Sequence, residues 1–411
     1  MKGNCIIAQS GGPTSAINAS LSGAFLEMSV SPDVGKIYGG INGIQGILEE
    51  KLLDLRPILN SDSQIALLKQ TPAASLGSCR FKLKSPEDRP EEYANIFKIF
   101  EKYDIRYFIY IGGNDSMDTV YRLGEYAKTQ NRDMVFMGVP KTIDNDLMGT
   151  DHTPGFGSCA KYVATTVQEV AQDNIVYDMD CAVIIEVMGR DAGWISLAAS
   201  LARDKEDQAQ CDLIYSPESA FSTERFMQDL ADVRAQKRQA LVIVSEGIRD
   251  AKGAYLSDTG ITDSFGHKLL GGAGAVLADL VRTELGIKVR AIELSLLQRC
   301  AAHYTSATDL RESEDLGRYA AKGALSGLSG KMAAIKRLSD NPYQTEYTYS
   351  DVSEVANFVK TVPAEYFNAA RNHASHKGLQ YLLPLITGSN EMILENGLPI
   401  YLNLASMYRR L

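Results

Sequence analysis

The sequence holds no C-x-x-C pair, no Lys/Arg-rich block and no internal repeat, and each absence closes off a class of function. Six cysteines, Cys5, Cys79, Cys159, Cys181, Cys211 and Cys300, are scattered in a way that fits neither a disulfide framework nor a zinc knuckle. They are expected to be buried thiols in a reducing compartment. With 42 basic against 51 acidic side chains and a formal charge of -9, a phosphate-backbone partner finds no electrostatic footprint, which sets nucleic acid aside. No run approaches the roughly 18 uncharged apolar residues of a membrane helix. The opening MKGNCIIAQSGGP lacks the longer hydrophobic region and small-residue cleavage site of a signal peptide, so the expected location is cytoplasmic, with no membrane partner. A G-x-G-x-x-G turn is missing after the first apolar run, which argues against a dinucleotide oxidoreductase. Tryptophan occurs once, as Trp194, and is expected in core packing.

What is present is a chain of 411 residues with 45% apolar content, enough for two or three domains. Short apolar runs recur at Asn4 to Gln9, Tyr107 to Ile111, Met134 to Val139, Ala182 to Val187 and Ala240 to Ser245, each ending in a glycine or polar turn and leading into a helical pattern. Continuous runs such as YFIYI, CAVIIEVM and ALVIVS suit parallel strands buried on both faces, which predicts an α/β fold with helices on either side of the sheet. TPGFG at Thr153 to Gly157 breaks the pattern and marks a boundary between halves. In the C-terminal part, EVANFVKTV reads as a helix.

In open parallel sheets ligands sit beyond the carboxyl ends of the strands, so the residues just after each run carry the chemistry. Here they read SGGPTSAIN, GGNDSMDT, PKTIDND, MGRDAGW and SEG. Ser10-Gly11-Gly12 with Thr14/Ser15 as helix caps, and again Gly112-Gly113-Asn114-Asp115-Ser116, have the composition of turns that aim backbone N–H groups at an anion. Pro140-Lys141-Thr142-Ile143-Asp144-Asn145-Asp146 crowds a cation and two carboxylates together. These are the parts that metal-assisted phosphoryl transfer requires: a base for a hydroxyl, a ligand for Mg²⁺ and a cation for developing charge.

The ordered set SGG, LGSCRF, GGNDS, PKTIDND, TPGFGS, EVMGR, SEG and LLQR, spanning roughly Asn4 to Arg299, closely resembles the phosphofructokinases, and most closely their pyrophosphate-dependent branch. The resemblance implies two Rossmann-like three-layer domains with mainly parallel sheets and a cleft between them. A phosphoryl-donor domain would take residues 1–155 with about 300–375, and a fructose 6-phosphate domain 156–299 with about 376–411. Residue by residue, Asp144 resembles the general base for the C1 hydroxyl and Thr142 a substrate hydrogen-bond donor. Asp146 and Asn114 fall at the Mg²⁺ positions. Met188, Gly189 and Arg190 resemble the sugar-phosphate turn, Glu246 the carboxylate on the sugar hydroxyls, and Arg299 and Arg290 the arginines on the 6-phosphate, Arg290 being supplied across a subunit boundary. Arg80 and the Gly11/Gly12 backbone resemble the groups on the transferred phosphate, with Gly113, Asn114, Asp115, Ser116 and Lys141 completing the donor side. The implied assembly is a homodimer or homotetramer.

ATP-using relatives typically have glycine where this chain has Asp115 and Lys141. A carboxylate at residue 115 would repel an α-phosphate, while Lys141 would neutralise a pyrophosphate oxygen, so pyrophosphate is the expected donor. A plain helix N-cap is the bland reading of Asp115. The chain departs from the pattern in having asparagine at 114, Cys181 where an arginine reaches the partner subunit, and Leu296 in place of a substrate histidine, with His303 unassigned. Two other readings remain at this stage: an ATP-dependent kinase for the same sugar, and a catalytically silent sugar-phosphate-binding subunit.

Overall fold

The computed structural model describes residues 2–176, 178–258, 260 and 270–410. Eleven strands build its two main sheets: β1 Gly3–Gln9, β2 Val34–Gly40, β3 Leu52–Asp54, β4 Ile105–Gly112, β5 Val135–Pro140, β6 Cys181–Val187, β7 Leu213–Tyr215, β8 Gln239–Ser245, β9 Lys288–Glu293, β10 Lys331–Asp340 and β11 Tyr343–Asp351. The first sheet runs β11-β10-β5-β4-β1-β2-β3 and the second β7-β8-β6-β9. Every pairing in the second sheet is parallel. In the first, only the outermost pairs, β2 with β3 and β10 with β11, are antiparallel.

The five apolar runs read from the sequence are β1, β4, β5, β6 and β8, all of them inner strands, and their continuity follows from burial on both faces. Those left unread are shorter, glycine-rich or polar on alternate residues. β2 is VGKIYGG, and β11, at the edge, is YQTEYTYSD.

Late parts of the chain complete the first sheet. The helix Ala307–Leu325 lies against the helix Ile17–Val30 so closely that a Cβ on Gly23 would come 1.9 Å from Glu314 O, and one on Gly317 would come 2.1 Å from Ser20 O. Only glycine allows that approach. Beyond residue 376 the chain divides: Tyr381, Leu382 and Leu385 pack into the core of the second sheet, whereas Leu402, Leu404 and Ala405 pack into that of the first.

EVANFVKTV is not the helix its pattern suggests. Helical structure covers only Val352–Val355, after which Asn357 takes a left-handed φ of 67° and the Lys360 N–H donates to Asp146 O at 2.7 Å instead of to a carbonyl one helical turn back. Five cysteines are buried as expected, but Cys300 is exposed because its short helix, Leu297–Cys300, lies at the surface. No helix among the described residues is long and apolar enough to cross a membrane.

Candidate active site

The loop after β5 alternates. Lys141, Ile143, Asn145 and Leu147 are buried, which leaves Thr142, Asp144 and Asp146 partly exposed. Asn145 fixes the register from beneath: at φ 53° its Nδ2 donates to Tyr381 Oη at 3.0 Å and its Oδ1 accepts from Thr153 N at 2.9 Å. Thr142 Oγ1 accepts from Asp144 N at 3.1 Å. Behind the loop, His152 contacts Asp151 Oδ1 at 2.8 Å and Glu312 Oε2 at 2.7 Å. Burial pushes that imidazole down, but the two carboxylates outweigh it and hold the ring at about 9, charged at neutral pH.

Lys141 is the floor of the first glycine turn. Its Nζ donates to Gly12 O at 2.6 Å and lies 3.2 Å from where a Cβ on Gly11 would be, at a left-handed φ of 76°. Arg299 Nη1 lies 3.4 Å from the equivalent point on Gly12. The two glycine turns are joined through Ser10 Oγ and Ser116 Oγ, 2.5 Å apart. Burial pulls Lys141 down to about 8 against the opposing charges of Asp144 and Asp146. The same burial, with Glu246 adding to it, raises Asp144 to about 6 against Lys141 and Arg190. Burial and Asp144 raise Asp146 to about 7.

The first turn departs from its expected form in two respects. Thr14 and Ser15 are not helix caps: the helix starts at Ile17 with Ala16 before it, and Thr14 Oγ1 accepts from Ala16 N at 3.3 Å within the loop. The Gly11 N–H already donates to Cys79 O at 3.2 Å, so Gly11 offers close approach and a lysine beneath it, while its amide is committed elsewhere.

The second turn runs directly into the helix Asn114–Thr129, whose N-cap is Gly113. Asp115 is therefore in the first helical turn and is not the cap. Its carboxylate, 45% exposed, lies 3.4 Å from Lys82 Nζ. Asn114 Oδ1 is buried without a hydrogen-bond partner among the described residues.

Beyond β6, Gly189 at φ 125° turns the chain so that its carbonyl accepts from Ser245 Oγ at 2.6 Å, and Met188 N donates to Gln298 Oε1 at 3.2 Å. A Cβ on Gly247 would come 2.0 Å from Arg190 O, so SEG needs its glycine to lie against MGR. Burial raises Glu246 and Arg190 draws it back; Arg190 also acts on Asp144. Arg190 Nε is buried with no partner among the described residues. Arg80 is exposed in the segment before the helix at Pro90 and close enough for its charge to act on Arg299.

The geometry thus gathers Gly11, Gly12, Lys141, Asp144, Asp146, Arg190, Glu246 and Arg299 at the carboxyl ends of the inner strands. It does not bring Arg290 to them within one chain. Arg290 is exposed on the edge strand β9, pairs in register with Val183 and lies 3.7 Å from Asp173. Val183 is five residues short of Met188, roughly 16 Å along a strand. His303 and Leu296 are exposed. Two contributors went unread. Gln298 lies inside the LLQR motif and was readable there, whereas Lys360 was concealed in an apparently helical pattern.

A phosphofructokinase family model matches residues 4–323. Curated relatives named pyrophosphate--fructose 6-phosphate 1-phosphotransferase include that of Methylococcus capsulatus, 39% identical over 98% of this chain and 96% of its own. The one from Xanthomonas campestris pv. campestris is 39% identical over 98% and 97%. The crystal structure of a pyrophosphate-dependent phosphofructokinase from Marinobacter aquaeolei superposes with a TM-score of 0.87 at 36% identity, covering 98% of this chain and 96% of that one.

Proposed function

Because the chain belongs to the phosphofructokinase family, we infer that this cleft transfers a phosphoryl group reversibly from pyrophosphate to O1 of fructose 6-phosphate, giving fructose 1,6-bisphosphate and phosphate. The enzyme belongs to the pyrophosphate-dependent branch.

Asp144 takes the proton from the C1 hydroxyl as the new O1–P bond forms and the P–O–P bond breaks. At about 6 it is ionised at neutral pH yet basic enough to serve. Thr142 donates to the substrate and orders the Asp144 loop. Lys141 and Arg80 meet the charge that develops on the transferred group and the departing phosphate. Glu246 fixes the sugar hydroxyls. Arg299, Arg190, whose buried Nε is unpaired among the described residues, and the Met188-Gly189 turn hold the 6-phosphate, with Arg290 of a second copy completing the set. Asn114 and Asp146 are the residues that would hold Mg²⁺, an oxygen-seeking ion whose chemistry when bound is neutralisation of phosphate charge. The orphaned Asn114 Oδ1 fits that need for an oxygen ligand. We take the protein to work as a homo-oligomer, dimer or tetramer, in the cytoplasm.

The observation that carries the donor assignment is the buried Lys141 ammonium beneath Gly11, with the Lys82–Asp115 pair at the head of the second turn. A nucleotide continuing past its β-phosphate would meet the Asp115 carboxylate. Turnover measured with equal concentrations of the two donors tests this: pyrophosphate should be faster, and faster turnover with ATP would remove the donor assignment while keeping the family.

A further inference from the structure

The two sides of the cleft are joined by a segment outside every motif named so far, residues 358–362. On the donor side, Lys360 N donates to Asp146 O at 2.7 Å, and Lys360 Nζ reaches Asp151 O at 2.7 Å, Thr150 O at 3.1 Å and Asn145 Oδ1 at 3.5 Å. On the sugar side, Lys360 O accepts from Trp194 Nε1 at 2.9 Å, and its ammonium lies 5.4 Å from the centre of the Trp194 ring. One residue pair further on, Val362 N and Gly193 N both donate to Glu218 Oε1, at 3.0 and 2.8 Å. The segment therefore clasps the loop that carries Asp144 and Asp146, and the turn that follows Arg190, at the same time.

We propose that Lys360 is a positioning residue for phosphoryl transfer, holding the Asp144 loop in register with the Met188–Trp194 turn so that the base is set against the acceptor hydroxyl. It touches neither substrate, since its ammonium is occupied by loop oxygens. The proposal rests on the reaction given above.

Lys360→Met and Lys360→Arg, made in the full-length enzyme, test it in the pyrophosphate assay. Small displacements of reacting groups cost rate more than affinity, so Lys360→Met should lower kcat about 10- to 100-fold with both KM values within about threefold. Lys360→Arg, which keeps the cation, should recover a substantial part. Trp194 is the sole tryptophan, so loss of the stacked ammonium should also shift its emission. A kcat within about twofold of wild type, a rise in KM at constant kcat, or an arginine variant no better than methionine overturns the proposal. Should Lys360→Met fail to fold, Trp194→Phe removes the bond to Lys360 O. A lowered kcat with KM unchanged is expected there, and an unaltered kcat overturns the proposal. Wild-type turnover with pyrophosphate is scored first. Its absence removes the reaction, and the clasp is then judged by Trp194 emission alone, where identical spectra for wild type and Lys360→Met overturn it.

Discussion

Replacing Lys141 with methionine separates the charge of the side chain from its bulk. Lys141 is 2% exposed, and burial brings its ammonium from 10.5 to about 8. Because the folded value lies below the unfolded one, the folded protein holds fewer protons between about pH 8 and 10.5, and this group makes stability rise with pH across that window. Near neutral pH the charged lysine costs the fold about 3 kcal/mol. Methionine removes that cost but strands the Gly12 carbonyl, worth about 1–3 kcal/mol. The two nearly cancel. With 411 residues at about 2.1 cal/mol/K each, Tm should move by no more than about 3 °C. The rate has no such compensation, because a preorganised donor aimed at developing charge is lost, and kcat/KM for pyrophosphate should fall about 10²- to 10³-fold. Fructose 1,6-bisphosphate formation near neutral pH, paired with a calorimetric melt, measures both. A rate loss below about tenfold, or a Tm drop beyond about 10 °C, refutes the separation of charge from structure. In the wild type, kcat/KM should fall as pH rises through about 8, and Lys141→Arg, which stays protonated, should lack that limb.

Asp115→Gly should raise the ratio of ATP to pyrophosphate turnover, read from the same donor competition, and a variant that still rejects ATP sinks the exclusion argument. Asp144→Asn should lower kcat by about 10²- to 10⁴-fold while leaving the melting curve near wild type, since it removes a proton acceptor from a site that still has its shape. Mixing Arg290→Ala with Asp144→Asn subunits should restore part of the activity that each lacks alone, because one mixed interface then carries an intact Arg290 beside an intact Asp144. No recovery after subunit exchange would place Arg290 outside the site.

The inner strands β1, β4, β5, β6 and β8 were legible because burial on both faces forces unbroken apolar runs, and the site was legible because its residues sit in the turns that end those runs. Asp144, Lys141, Arg190 and Glu246 all follow one within a few positions. Two other strands were not. The edge strand β11 alternates polar and half-buried residues, and β2, an inner strand, carries glycines, so neither has the composition of a continuous apolar run. Lys360 was unreadable for a different reason: EVANFVKTV keeps a helical rhythm, but Asn357 at φ 67° and the Lys360 N–H given to Asp146 O override it. Local pattern loses there to a tertiary hydrogen bond. The turn at Gly11 was legible in position but not in geometry, since nothing in SGGPTS announces that the helix waits until Ile17.

The embrace of the first helix by one that ends at Leu325 has a consequence for biosynthesis. During translation, Ile17–Val30 leaves the ribosome with the groove around Gly23 open, and its permanent neighbour follows roughly 300 residues later. At about 5–20 residues per second the delay is roughly 15–60 s. Over that interval the nascent chain leaves uncovered the face of its oldest helix that carries Ser20, Gly23 and Ala24, so one of the first segments to be made waits for a partner from the last quarter of the chain.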